Sequence, residues 1–319
     1  MAIQSKISVH KTTPRQDSKT DFGAELQGAD LENISQIDFE HQIIIFKSQQ
    51  HVSPAAQYEL TRRFDPTVQA YGHGKTLDAK RSILHPDLKT IPHQPQVRDI
   101  GNGPVKDFEG LKDITLKHLH HKTFHKHPIS EEHDRDNTRF YRWHIDAALY
   151  DLNPPRVISL MAAKVSKTEY QTLRYDDESN DELQVPRGST AFVSSYKMYD
   201  LLSPEDQHFA RTTKVQYAPH PYIWMSHAKS RSDGLGLISD GLELPYTNLP
   251  PIDSSKIKIF PMCWRNSVTG NLALQIHPSA VEKLHLEDGT VVNNLKEVRE
   301  IVHRLQRPGI KPEFVHAVD

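Results

Sequence analysis

The stretch FYRWHIDAALYDLNPPRVISLMAAKV, residues 140–165, decides how this chain is read. His144 and Asp146 stand two apart in a run of aromatic and β-branched residues. Side chains at i and i+2 of an extended segment point to the same face, roughly 7 Å apart at the backbone. Both can therefore reach one ion, and imidazole plus carboxylate suits a borderline divalent cation better than calcium or magnesium. The bland alternative is a polar pair on a solvated strand face. Two donors alone do not separate the two.

Outward from this stretch, the pattern is of short strands and helices. FYRWHID predicts a strand running into a turn. Pro154 and Pro155 punctuate it before RVISLMAAKVS, 156–166, a second apolar strand. Upstream, HQIIIFKSQ at 41–49 reads as a buried strand, after a short helix that follows FGAELQGAD at 22–30. Ser53 caps a helix over 53–64 with Pro54 in its first turn. Residues 65–138 carry Pro, Gly, His and charge with no sustained period, which predicts a functional loop or a partly disordered insert. The histidine-rich run HLHHKTFHKH at 118–127 reads as a solvated loop, although such tracts can bind metal. GSTAFVSS at 188–195 predicts a strand and 196–212 a helical segment. IFPMCWRNSVTGNLALQIH at 259–277 predicts a hairpin turning at Gly270. NLKEVREIVHRL at 294–305 predicts an amphipathic helix. The sum is a mainly β chain with flanking helices, jelly-roll-like, in one domain over 1–319.

Composition narrows the function class. The 319 residues are 36% hydrophobic and 25% charged, as in a globular chain with a core. With 39 basic against 41 acidic residues, the net charge of -2 gives no electrostatic reason to expect nucleic acid or an anionic membrane. A single cysteine, Cys263, excludes a disulfide framework and a thiolate cluster and points to a reducing, cytoplasmic compartment. No apolar run approaches the roughly 18 residues of a membrane helix.

Several segments in order resemble the iron(II)/2-oxoglutarate-dependent dioxygenases of the taurine dioxygenase type. WHIDAALYDLNPPRVISLMAAKV is similar to that family's W-H-x-D strand, loop, P-P and apolar strand. FGAELQGADL resembles its N-terminal F-G-A motif, GSTAFVSSYKMYDLLS its G-D-T-L-W strand and helix, and RNSVTGNLALQIH its H-P-x-T-G hairpin. The resemblance implies a double-stranded β-helix core. It also implies Fe(2+) held by His144 and Asp146, and 2-oxoglutarate as co-substrate with Thr190 bonding its carboxylate. HPDLKTIPHQPQV, IGNG and RFYRWHIDAALYDLNPP resemble more narrowly the fungal branch that hydroxylates xanthine at C8. That likeness implies a small-molecule purine and O2 as partners, with Gln94, Lys117 and Glu132 on the purine side.

The family's distal histidine and 2-oxoglutarate arginine belong to a G-D-x-x-x-x-(D/H)-N-R motif without a counterpart before the final RPGIKPEFVHAVD. The resemblance therefore implies a core incomplete at its C-terminal strands and a triad lacking its distal histidine. His277 is expected to be structural or substrate-facing, and His316 stands too early to be the missing ligand. The alternative is a non-catalytic homologue with at most weak metal or purine binding.

Overall fold

The computed structural model describes residues 8–12, 15–28, 31, 42–66, 89–117, 121–164, 169–238 and 241–318. The predicted helix between residue 31 and the 41–49 segment lies outside these residues. The chain divides into two compact units, Met1–His118 with Pro155–Lys164, and Leu119–Pro154 with Val165–Asp319.

The first unit is built of small sheets around one helix. Strand β1 (Ser8–Lys11) pairs antiparallel with β2 (Ala24–Gln27), which pairs parallel with β3 (Ile44–Phe46). The strand predicted over 41–49 is present only as these three residues, and it is half-buried rather than buried. Helix α1 (Pro54–Phe64) begins where predicted: the Ser53 hydroxyl accepts from the Ala56 amide, and Pro54 fills a first-turn position where no amide is needed. The described part of the 65–138 stretch is more ordered than its sequence suggests. It contains two hairpins, β4 (Lys89–Ile91) with β5 (Gln94–Asp99) and β6 (Gly103–Phe108) with β7 (Leu111–Leu116). In the second, Glu109 and Gly110 both take positive φ, and Val105 faces Ile114 while Phe108 faces Leu111. The segment 155–164 carries no strand, so the apolar strand predicted over 156–166 is not formed there.

The second unit holds the larger core. After a single helical turn, α2 (His121–Phe124), strand β8 (Asn137–Thr138) lies parallel to β9 (Tyr170–Arg174), which pairs with β10 (Glu182–Pro186). Then come β11 (Thr190–Phe192), helices α3 (Ser195–Asp200) and α4 (Pro204–Thr212), β12 (Lys214–Tyr217) and the turn α5 (Pro221–Trp224). The helical segment expected over 196–212 is two helices. The Ser203 hydroxyl accepts from Asp206 and, with Pro204 behind it, starts a new helix rather than continuing the old one.

Strands β13 (Ile259–Pro261), β14 (Cys263–Arg265), β15 (Leu272–Leu274), β16 (Val281–His285) and β17 (Val291–Val292) follow. β14 and β15 form the predicted hairpin, and β13-β12-β16-β17 is a four-stranded sheet. Helix α6 (Leu295–Gln306) is capped by Asn294 and buries Val298, Val302 and Leu305. The last strand, β18 (His316–Val318), pairs with β11. Buried residues from Phe140 to Val315, among them Tyr175, Tyr217, Met262 and Leu284, make one continuous core.

The architecture is mainly β with flanking helices. Among the described residues the strands lie in sheets of two to four and do not close into a barrel. No helix among them is long and apolar enough to cross a membrane.

Candidate metal centre

Residues 139–146 belong to no strand and no helix, in contrast to the sequence expectation. Other groups take up their backbone. The Trp143 amide donates to the Gly234 carbonyl at 2.9 Å. His125 Nε2 lies 2.8 Å from the Phe140 carbonyl and 3.2 Å from that of Tyr141, so its N–H donates to them. Phe140 and Trp143 are buried against each other with ring centroids 4.5 Å apart, and Phe140 meets Tyr175 edge-on. Gly234, at φ +75°, presses directly on this segment: a Cβ there would stand 2.9 Å from both Phe140 Cβ and its carbonyl oxygen.

His121 and His125, from the tract read as a solvated loop, are themselves buried. His121 holds Asp134 at 2.7 Å, and His125 supports the backbone of Phe140 and Tyr141; residues 118–120 lie outside the described part. Burial drives the pKa of His125 down to about 4, so it remains a neutral donor to these carbonyls.

Burying Trp143 and Ala147 turns His144 and Asp146 outward, where both are exposed. His144 Nδ1 is 2.8 Å from the Arg142 carbonyl. Its Nδ1–H donates there, which leaves the Nε2 lone pair free on the side of Asp146. Nε2 and Asp146 Oδ1 are 3.3 Å apart. Two donors each about 2.1 Å from one ion, at a right angle, would stand about 3 Å apart. The pair fits two adjacent positions of a metal, and the backbone sets the histidine tautomer that this requires. Surrounding protein disfavours a charged imidazolium, but the hydrogen bond and charge of Asp146 outweigh it and hold the His144 pKa above its ordinary value. Among the described residues, no group of three His, Cys, Asp or Glu side chains is arranged to hold a metal ion.

Behind the pair lies a buried polar relay. The Tyr222 hydroxyl donates to the Ala147 carbonyl at 3.0 Å, and His277 Nε2 is 3.4 Å from the same hydroxyl oxygen. With its one proton committed to Ala147, the hydroxyl accepts from His277 Nε2–H. His277 is fully buried, its ring centroid 6.2 Å from that of His144, and its Nδ1 has no hydrogen-bond partner among the described residues. Burial above all, then the charges of Arg142 and His144, holds its pKa well below the usual imidazole value. Burial pushes the Tyr222 hydroxyl up to about 12, so it stays a donor.

The remaining sequence-predicted residues lie as follows. Thr190 is exposed on β11 opposite Val318, and His316 is buried on β18 opposite Phe192. Glu132 is exposed in the turns of 131–136. Gln94 and Lys117 belong to the first unit. Gln94 opens β5 and donates to Gln96 Oε1 at 2.6 Å, and Lys117 is exposed just after β7. Sequence reasoning missed Tyr222, His125 and Gly234, whose roles depend on contacts across 15 to 94 residues of chain, a separation without a local signature. The one signal was Gly234 itself, in a D-G-L-G-L run that invites a positive φ.

The sequence profile of the taurine catabolism dioxygenase TauD, TfdA family matches residues 11–319. The alpha-ketoglutarate-dependent xanthine dioxygenase of Emericella nidulans is 59% identical, covering 98% of this chain and 87% of that protein. The enzyme of the same name from Neurospora crassa is 60% identical, over 99% of this chain and 80% of that protein. The one from Schizosaccharomyces pombe is 49% identical, over 96% and 78%. A match that runs along almost the whole sequence, with relatives this similar, places the chain in the TauD/TfdA dioxygenase family.

Proposed function

We propose that this protein is an iron(II)- and 2-oxoglutarate-dependent dioxygenase that hydroxylates xanthine at C8. The products would be uric acid, succinate and CO2, with one O2 and one 2-oxoglutarate consumed per turnover. Iron(II) together with 2-oxoglutarate supplies the oxidising power for inserting oxygen into the C–H bond. The observation that carries the reading is the His144–Asp146 pair, 3.3 Å apart with the histidine tautomer set by a backbone carbonyl, in a chain 59–60% identical to xanthine dioxygenases.

In this reading His144 Nε2 and Asp146 Oδ1 provide two metal donors. Their orientation is imposed by the Arg142 carbonyl on one side and by the Tyr222–Ala147 bond on the other. Thr190 hydrogen-bonds a 2-oxoglutarate carboxylate through its hydroxyl. Gln94 pairs with a polar purine edge, Lys117 offsets the negative charge of an anionic purine, and Glu132 accepts from a ring N–H. These four roles follow from resemblance to the family. The reading places the reaction in the cytoplasm.

The test is anaerobic loading of the protein with iron(II) and 2-oxoglutarate, read as a charge-transfer absorption in the visible. Oxygen and xanthine are then added, and succinate and urate are counted. The expected result is equimolar succinate and urate. Folded, iron-loaded protein that forms neither on addition of xanthine overturns the reading.

A further inference from the structure

On the outward face that carries His144 and Asp146, the next residue back is Arg142, which is half-buried. Its guanidinium carbon lies 4.8 Å from the centroid of the Phe124 ring, 5.4 Å from Tyr141 and 5.7 Å from Tyr222. Arg139, Arg174, Arg299 and Arg307 in the same unit each hold a carboxylate at 2.5–2.8 Å. Arg142 has none among the described residues. Of its five N–H donors, one reaches a weak acceptor, the Met225 sulfur at 3.4 Å.

Three rings contact the guanidinium carbon and one N–H meets a sulfur, and among the described residues its other N–H donors have no hydrogen-bond partner. The N–H groups in its plane are left to something else. Electrostatics says what kind of group that is. Arg142 stands two residues from His144, and its positive charge repels a divalent ion bound there. An electron-rich ligand between them removes the conflict, and the half-exposed position leaves room for one to approach.

We propose that Arg142 is a specificity-determining residue that takes the O6/N7 edge of the purine in a bidentate fork, so that C8 is turned toward His144 and Asp146. The inference rests on the reading of the preceding subsection. An arginine fork matches the adjacent oxygen and nitrogen of that purine edge, as it does for guanine in nucleic acids. N7 is bonded to C8, so whatever grips N7 places C8 next to the gripping residue. A fork two residues before a metal donor therefore selects the carbon to be oxidised. N7 accepts in the anion, or in the tautomer that leaves it a lone pair. Contacts with the Phe124, Tyr141 and Tyr222 rings hold the guanidinium beside the donor pair, and its planar fork gives the contact a direction that an ammonium lacks.

The test is calorimetric binding of xanthine to the full chain loaded with Mn(II) and 2-oxoglutarate, in wild type, Arg142→Gln and Arg142→Lys. KM and kcat with iron(II) are measured in parallel. We expect the dissociation constant for xanthine to rise about 10- to 100-fold in Arg142→Gln, as for loss of one bidentate base contact. Arg142→Lys should recover only part of it, since an ammonium has no fork. KM for 2-oxoglutarate and affinity for Mn(II) should stay within about twofold of wild type. An unchanged xanthine affinity in Arg142→Gln overturns the proposal. So does a loss that falls on 2-oxoglutarate, which would make the cation a co-substrate contact. Equal losses in Mn(II) affinity and thermal midpoint in both variants overturn it as well, by making the residue structural. Wild-type protein that does not bind xanthine at all overturns both this inference and the function on which it rests. Binding by wild type with no change in the variants overturns the inference alone.

Discussion

Two segments of this chain read alike in sequence and differ in structure. Residues 139–147 and 155–164 both mix apolar with charged residues, and both lie outside any strand or helix. The first buries Phe140, Trp143 and Ala147 and has its backbone taken up by Gly234 and His125. The second leaves Ile158 at 54% and Leu160 at 69% exposure. It is tied at Ser159, whose carbonyl accepts from Gln57 Nε2 at 3.2 Å and whose hydroxyl contacts Thr61 at 3.1 Å. Lying outside a strand therefore does not decide whether a segment is held. Burial of Phe140, Trp143 and Ala147 against fixed partners does that, and only the first segment has it. His144 and Asp146 sit on that platform.

The largest expected effect comes from removing a donor. His144→Ala or Asp146→Ala should bring xanthine-dependent succinate formation to background. Because both side chains are exposed, stability should change by no more than about 0.5 kcal/mol. Measured together, turnover and denaturant midpoint separate a lost ligand from a lost fold. Retained turnover in either variant would remove the pair from the metal site.

Next is Gly234→Ala, which attacks the platform and leaves the donors alone. An alanine at φ +75° costs about 1–2 kcal/mol in backbone strain, and its Cβ meets Phe140 at 2.9 Å, which adds about 1–3 kcal/mol of overpacking. A stability loss of about 2–5 kcal/mol in urea, with weaker Mn(II) binding, is expected. If stability falls while metal affinity holds, the donors are positioned by something other than this contact.

Tyr222→Phe should have a smaller effect. It removes the donor to the Ala147 carbonyl and the acceptor for His277, both in partly or fully buried surroundings. The expected cost is about 1–3 kcal/mol, with a metal affinity about tenfold weaker. Mn(II) titration followed by electron paramagnetic resonance reads the second quantity without any turnover.

These cases show which parts of the molecule were legible in sequence. Elements whose cause is local were legible: α1 from Ser53 and Pro54, α6 from Asn294 and its apolar stripe, and the β14–β15 hairpin from its glycine turn. The hairpins of 89–116 were not. Their apolar pairs, such as Val105 with Ile114, are interleaved with lysines and aspartates and only half-buried, so no clean alternation marks them. At the site, the spacing of His144 and Asp146 was enough to predict that they share a face. That they would do so without a strand was not predictable, since the groups replacing the ladder come from His125 and Gly234. The setting of Arg142 was equally invisible. Among the described residues its guanidinium meets rings and a sulfur but no carboxylate, which no sequence pattern records.

The smallest effect sharpens the comparison most. Leu160→Ser replaces a leucine 69% exposed, on a segment whose backbone bonds do not involve its side chain. Little apolar area is buried there to lose, so stability should move by less than about 0.5 kcal/mol. Trp143→Ala on the other segment removes a buried indole packed on Phe140 and should cost about 3–5 kcal/mol. The ratio of the two changes, read from denaturant midpoints under one condition, measures how differently two similar sequences are anchored. A Leu160→Ser loss above about 1 kcal/mol would mean that this face is covered in the protein in solution. The two segments would then differ in what covers them, not in whether they are held.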